Sequence, residues 1–175
     1  MTALLETFKI YTQKFKWMII PLDPNSKRPI FPEWNKQYNI EAAKSYFEEH
    51  PNCNMGLILG RIVDVEADSV SGNIFLNKMI GDYPHPKWKS SKSIHHLFLN
   101  PEKYSRRLTR KTFQQQIEFR GFKHQSVLPP SIVGDVRYEW LSDSISQIPR
   151  MPKSLFRFYM HSAYPKKNEK NIYSL

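Results

Sequence analysis

The chain holds a single cysteine, Cys53. An internal disulfide and a zinc site built on several thiolates are therefore excluded, and a reducing compartment suits the composition. Long apolar runs are missing too. None reaches the roughly 20 residues a bilayer-spanning helix needs, and the opening MTALLETFKI lacks the pattern of a secretory signal. The expectation is a cytoplasmic protein with no membrane partner. No repeat or low-complexity tract stands out. Acids are in short supply: 16 Asp and Glu face 26 Lys and Arg, for a formal net charge of +10. That surplus favours a polyanionic partner, nucleic acid above all; on charge alone an anionic membrane surface would also serve.

What is present is enough for a packed core. Hydrophobic residues make up 40% and aromatics 14% of 175 residues, which fits one folded domain. Leu4, Leu5, Phe8, Tyr11 and Phe15 recur at helical spacing and predict an amphipathic N-terminal helix. WMIIPL, at 17–22, reads as a buried strand, followed by the loop DPNSKRPIFPEW. Asn39 is placed to cap a helix running to about His50, with Ala43, Tyr46 and Phe47 inward and Pro51 as the stop. MGLILG and RIVDVEA read as two strands. Residues 71–80 read as a helix with Ile74, Phe75, Met79 and Ile80 on its core side, and DYPHPKW as a loop. Further strands are expected at 94–99, 117–120, 126–128 and 137–141, then a closing helix LFRFYMHS with Pro152 in its first turn. Strands and helices mix without strict βαβ order, so the expected class is α+β. The expected division is one domain over 1–162 and a polar tail or linker over 163–175.

The segment VDVEAD, residues 63–68, carries Asp64, Glu66 and Asp68 at every second position. In a strand these three point to one face, and Val63, Val65 and Ala67 to the other. Two carboxylates about 4 Å apart repel by roughly 4 kcal/mol at an effective dielectric near 20. Open water, basic partners or a divalent cation each relieve that, and hard oxygen ligands suit Mg²⁺ or Mn²⁺. The plainer reading is the polar outer face of a half-buried sheet. Ser93-Ile94-His95 leads into another strand, where His95 and His96 face opposite ways, so at most one serves a given site. In IEFRG, Glu118 is raised opposite Ile117 and Phe119 and shares its parity with Arg120, an arrangement a simple surface ion pair would also explain. Lys27, Arg28 and Trp34 make a basic, aromatic loop suited to phosphate or base contact.

Taken in order, these pieces resemble the primase–polymerase (prim-pol) domain of the archaeo-eukaryotic primase superfamily. The resemblance rests on Ile20-Pro21-Leu22 with Lys27, Pro29 and Trp34; on Asn54, Gly56 and Gly60; on VDVEAD; on Ser93-Ile94-His95; on IEFRG; and on Gln125 through Trp140 with Pro129-Pro130-Ser131. It covers roughly residues 15–160. It implies a catalytic core with an RRM-like sheet packed beside a smaller N-terminal α/β unit. It implies a DNA primase/polymerase that joins nucleoside triphosphates on a single-stranded DNA template and primer. Asp64, Glu66 and Glu118 would be catalytic carboxylates holding two divalent metals, with Asp68 as the alternative partner of Glu66. His95, with Ser93, Lys92 and Arg120, would meet the nucleotide. A helicase or other replication domain, in cis or in trans, would be a natural partner. The chain departs from the pattern at three places, one of them the short turn after Pro130-Ser131, where Gly134 follows almost at once and a histidine common in that turn is absent. Ser91-Lys92-Ser93-Ile94-His95 stands where many relatives have S-G-G-x-H, and Phe122-Lys123-His124 follows Gly121 where glycine is usual. Two other readings share the same residues: a prim-pol fold that only binds nucleic acid, and a nuclease using the same acids.

Overall fold

The computed structural model describes residues 2–100, 108–112 and 115–163. Helix α1 (Ala3–Lys9) begins at Thr2, whose hydroxyl accepts the Leu5 N–H and satisfies a donor that the first turn leaves open. It runs into one wider, π-helical turn, Ile10–Lys14, that buries Tyr11 and Thr12. Strand β1 (Ile19–Leu22) is buried at every position, as its apolar run predicts. Helix α2 (Ile40–Glu49) starts where Asn39 predicts, with the Asn39 side-chain oxygen accepting from the backbone N–H of Glu41 and Ala42.

β1 pairs with β2 (Asn54–Ile58), and β2 pairs with β8 (Gln125–Leu128), giving a three-stranded antiparallel sheet. Leu5 and Phe8 of α1 and Ala43 and Phe47 of α2 share one apolar cluster with Ile19, Leu22, Met55, Leu57 and Leu128 of this sheet. Each of the larger of these buried side chains contributes about 1.5–3 kcal/mol. Gly56 lies at the centre of the sheet. A Cβ there would stand 2.8 Å from Gln125 Oε1 and 3.0 Å from Leu22 Cδ2.

A second sheet has six strands. From one edge to the other they are β11 (Glu139–Trp140), β4 (Lys87–Lys89), β5 (Ile94–Leu99), β3 (Ile62–Ala67), β7 (Gln115–Arg120) and β6 (Leu108–Thr112). Every neighbouring pair is antiparallel. Helices α3 (Val70–Ile80) and α4 (Lys153–Ala163) cover one face: Leu76, Ile80, Leu155 and Tyr159 pack with Val63, Val65, Phe98, Ile117 and Phe119 of the strands. The opposite face carries Trp88 and Leu97, which belong to the first cluster. The even-numbered residues of β3 therefore sit in the seam between the two sheets. A short hairpin, β9 (Ile132–Val133) with β10 (Val136–Arg137), turns at Gly134, whose φ of +62° suits a residue without Cβ.

Four expectations need correction. Ile74 is 66% exposed, and Leu76 takes the inward place on α3. Trp88 lies in strand β4 rather than in a loop. The strand expected over 137–141 is two short pieces with Tyr138 buried between them. β3 ends at Ala67, leaving Asp68 exposed past the strand. The expected tail from residue 164 onward lies outside the described residues. Among the described residues no helix is long and apolar enough to cross a membrane.

Candidate active site

Antiparallel register assembles the polar residues of the seam. On β3, Asp64 stands opposite Arg120 of β7 and Glu66 opposite Glu118. On the other side of β3, Glu66 stands opposite His95 of β5. Directly opposed residues share a face, so Asp64, Glu66, Glu118, Arg120 and His95 converge, and His96 points to the helix-covered face. Asp64 is 0% exposed, Glu66 4% and Glu118 7%, so three carboxylates share a site with very little water. Like charges directly opposed across a sheet are destabilising unless something neutralises them.

Arg120 does so. Its guanidinium contacts Glu66 Oε1, donates to Glu118 Oε2 at 3.0 Å and lies 3.7 Å from Asp64 Oδ2. His95 donates its Nδ1–H to Asp64 Oδ2 at 2.8 Å, and its Nε2 lies 3.2 Å from Glu66 Oε2 without hydrogen-bond geometry. The Ser126 hydroxyl, from β8 across the seam, donates to Asp64 Oδ2 at 2.5 Å. The Ser93 hydroxyl donates to Glu66 Oε2. Burial by itself raises the Asp64 carboxyl. The His95 charge and hydrogen bond, backed by Arg120 and Ser126, outweigh burial and hold the group below its ordinary value. Beneath the imidazole, the Trp88 ring stacks on His95 with centroids 4.6 Å apart and planes 5° from parallel. That stacking and the Asp64 bond leave the ring little freedom.

The structure brings together Asp64, Glu66, Glu118, His95, Ser93 and Arg120 from the sequence-derived set. Asp68 is not among them: it is exposed beyond the end of β3, so the strict alternation of VDVEAD stops being structural after Ala67. Lys92 is exposed on the turn before β5, where its backbone N–H reaches Ser90 Oγ. Lys27 and Trp34 line a recess of about 280 Å³ together with His95, Arg120, Lys123 and Gln125. Arg28 lies outside this recess, exposed and 4.0 Å from Asp23. Sequence reasoning missed Ser126 and Trp88. Neither sits in a pattern of its own: both matter only because a neighbouring sheet or strand lays them against the acids.

Other motif residues hold the frame. Asn54 donates to the carbonyls of Ser26 and Ile132 and accepts the Ile132 N–H, and Ser131 accepts the Met55 N–H at 2.9 Å. The Gln125 amide donates to the Lys27 carbonyl, so β8 tethers the loop that carries Lys27.

The donor set suits a hard divalent cation. Three carboxylates share one face, and Asp64 Oδ1 is a buried acceptor with no hydrogen-bond partner. As the side chains lie, Arg120 occupies the centre, and among the described residues no three donors are grouped to enclose an ion. The residues fit Mg²⁺ or Mn²⁺ in type and register, with withdrawal of Arg120 as the condition. Arg120 ends its strand next to Gly121, and its side chain is 22% exposed, so such a movement has an open side.

No curated protein matches the chain. Residues 9–154 match the family described as bifunctional DNA primase/polymerase, N-terminal. With most of the chain matched, and with its motif residues gathered in one buried seam, this protein belongs to the prim-pol family.

Proposed function

We propose that the chain is a template-dependent DNA primase/polymerase, a nucleotidyltransferase that joins nucleoside triphosphates on single-stranded DNA. The family supports primase/polymerase-type chemistry. The observation that carries the finer reading is the convergence of Asp64, Glu66 and Glu118 with His95 on one buried face. We read the six-stranded sheet as the RRM-like catalytic sheet.

Asp64, Glu66 and Glu118 would hold Mg²⁺ or Mn²⁺, which when bound supplies Lewis-acid activation of a primer 3′-hydroxyl and charge neutralisation at the triphosphate. Lys27, Lys123 and Arg120 make the adjoining recess basic, so it attracts a polyphosphate. His95 lines that recess; its Nε2 is buried without a hydrogen-bond partner, 3.2 Å from Glu66 Oε2, and would meet a phosphate oxygen once Glu66 turns to a cation. Trp88 and Asp64 hold the imidazole in place for that contact. Ser93 and Ser126 orient Glu66 and Asp64 by donating to them. Arg120 is the internal counter-ion of the acids and, once released, has the reach to turn to the nucleotide.

Primer extension with Mg²⁺ or Mn²⁺ tests this. Equal product from wild type and Glu118→Ala would reject the carboxylate assignment. The ion pairing of Arg120 with all three acids favours a second reading, a prim-pol fold that binds nucleic acid without polymerising. Calorimetric titration separates the two, because the second predicts DNA binding with no metal-dependent binding of nucleotide.

A further inference from the structure

Helix α3, VSGNIFLNKMI, is apolar on more than one face. A helix of that kind is ordinarily covered on every side. Leu76 and Ile80 pack against the sheet, but the opposite row, Val70, Ile74 and Lys78 at a spacing of four, is exposed. Val70 is 80% exposed and Ile74 66%, more than any other large apolar side chain among the described residues.

Helix α4 lies beside α3. The Ser154 hydroxyl donates to the Met79 carbonyl at 2.5 Å, and Phe158 meets Phe75 edge-on with centroids 5.4 Å apart. These contacts run in opposite order along the two helices, so the pair is antiparallel. Leu155 and Tyr159 turn inward; Lys153, Arg157 and His161, again four apart, turn outward and are exposed. The outer surface of the helical layer thus carries two rows, with Phe75, Met79 and Phe158 half-buried at the junction between them. Antiparallel packing sets Ile74 level with Arg157, and Lys78 toward Lys153.

Charge on this surface has one sign. Neither helix contains an Asp or a Glu, and Lys78, Lys153 and Arg157 form no ion pair among the described residues. Asp68 and Asp82, the acids nearest to α3 in sequence, stand beyond its two ends.

We propose that the outer face of α3 and α4 is a docking site for an acidic amphipathic helix of another protein, with the partner's apolar stripe on Val70, Ile74 and Phe75 and its carboxylates toward Lys78, Lys153 and Arg157. Unpaired cations beside exposed aliphatic side chains match a helix that carries both features. A nucleic-acid strand matches only half of the surface, because Val70 and Ile74 offer no flat ring on which a base could stack. A second copy of the same face meets like charge, and residues 164–175, with Lys166, Lys167 and Lys170 against Glu169, bring that same sign. The six-stranded sheet lies between this face and Asp64, Glu66 and Glu118, so the proposal does not rest on the polymerase reading.

The probe is a labelled synthetic peptide of about 14 residues, enough at 1.5 Å per residue to span an 11-residue helix, with leucine at i, i+3, i+4 and i+7 and glutamate on both flanks. Fluorescence anisotropy against the whole chain should show saturable binding that weakens as salt rises. Ile74→Glu should weaken it roughly 10-fold, and so should Lys153→Glu combined with Arg157→Glu. All three side chains are exposed, and an acid at position 153 suits the first turn of α4, so both variants should melt as wild type does; a melt of each checks this. The same peptide with lysine for glutamate should not bind. Absence of saturable binding by the acidic peptide, or equal binding by wild type and both variants, would overturn the proposal. Sedimentation equilibrium in which wild type dimerises and Ile74→Glu does not would give the face to a second copy and overturn it. Loss of single-stranded oligonucleotide binding in the charge-reversed variant, with peptide binding intact, would give the face to nucleic acid and overturn it as well.

Discussion

The guanidinium of Arg120 contacts the carboxylate of Glu66, although β-sheet register sets Arg120 opposite Asp64, two residues away along β3. The reach along the strand places one positive charge among three buried acids. Removing it leaves those acids uncompensated, a change that costs about 3–5 kcal/mol where a buried pair is broken. Arg120→Ala should therefore lower the thermal midpoint substantially. If the acids are a cation site, millimolar Mg²⁺ or Mn²⁺ should restore most of the loss by binding the folded state. A midpoint indifferent to both ions would count against the metal assignment.

Glu118 offers the complementary experiment. It is paired directly with Glu66, so Glu118→Gln removes a like charge and should leave the fold intact. Extension activity should nevertheless drop by about 100-fold or more, the scale on which a preorganised charge-stabilising group is missed. Steady-state primer extension beside a thermal melt measures both halves of the expectation.

The helix-covered side of the sheet predicts a pH dependence. His96 is buried, its Nδ1 meets His85 Nε2 at 2.7 Å, and burial first, then the His85 charge, pushes its pKa from 6.5 down to about 3. Below about pH 6.5 the unfolded chain takes up a proton that the folded one refuses, so stability is fully present above that pH and falls as pH drops toward about 3. At pH 5 the loss should be about 2 kcal/mol. Burial lowers His85 as well, and it adds in the same direction. Asp64, held below its ordinary 3.8, withdraws its contribution only at more acid pH. Urea midpoints between pH 7 and pH 5 should fall in wild type and fall less steeply in His96→Leu. Parallel slopes would refute the assignment to His96.

Gly56 ties fold to site. Gly56→Ala puts a methyl group against Gln125 Oε1, Leu22 and Ile20. Overpacking of this kind costs about 1–3 kcal/mol, and the Gln125 amide, bonded to the Lys27 carbonyl, must shift to relieve it. Its movement breaks the bond to the Lys27 carbonyl and loosens the loop that lines the recess beside the acids. The expected result is a small drop in melting temperature with a rise in KM for nucleotide larger than the fall in kcat.

Much of this molecule is written in local pattern. The Asn39 cap, the buried run at β1 and the alternation of β3 follow from side-chain chemistry and spacing that act over a few residues. Alternation likewise separates His95 from His96 and aligns Asp64 with Glu66, because a strand turns every second side chain to the same face. Ile74 escaped that reasoning because α3 is apolar on more than one face, and only packing against β3, β7 and α4 selects Leu76 and Ile80 for the interior. β11 and β4 are too short to show a period: β4 exists because β5 offers it an edge, and β11 because β4 does.

The sequence alone determined which chemistry the chain carries: a basic surplus, alternating acids, a histidine and a third acid on separate strands. Only the tertiary structure decided which of these meet. Register across three strands joined Asp64, Glu66, Glu118 and His95 and left Asp68 outside; the three-stranded sheet delivered Ser126, and strand pairing placed Trp88 under His95. The physical reason is separation along the chain. Glu66 and Glu118 meet through hydrogen bonds between strands distant in sequence, and the counter-charge that lets them share a buried site, Arg120, comes from the same pairing.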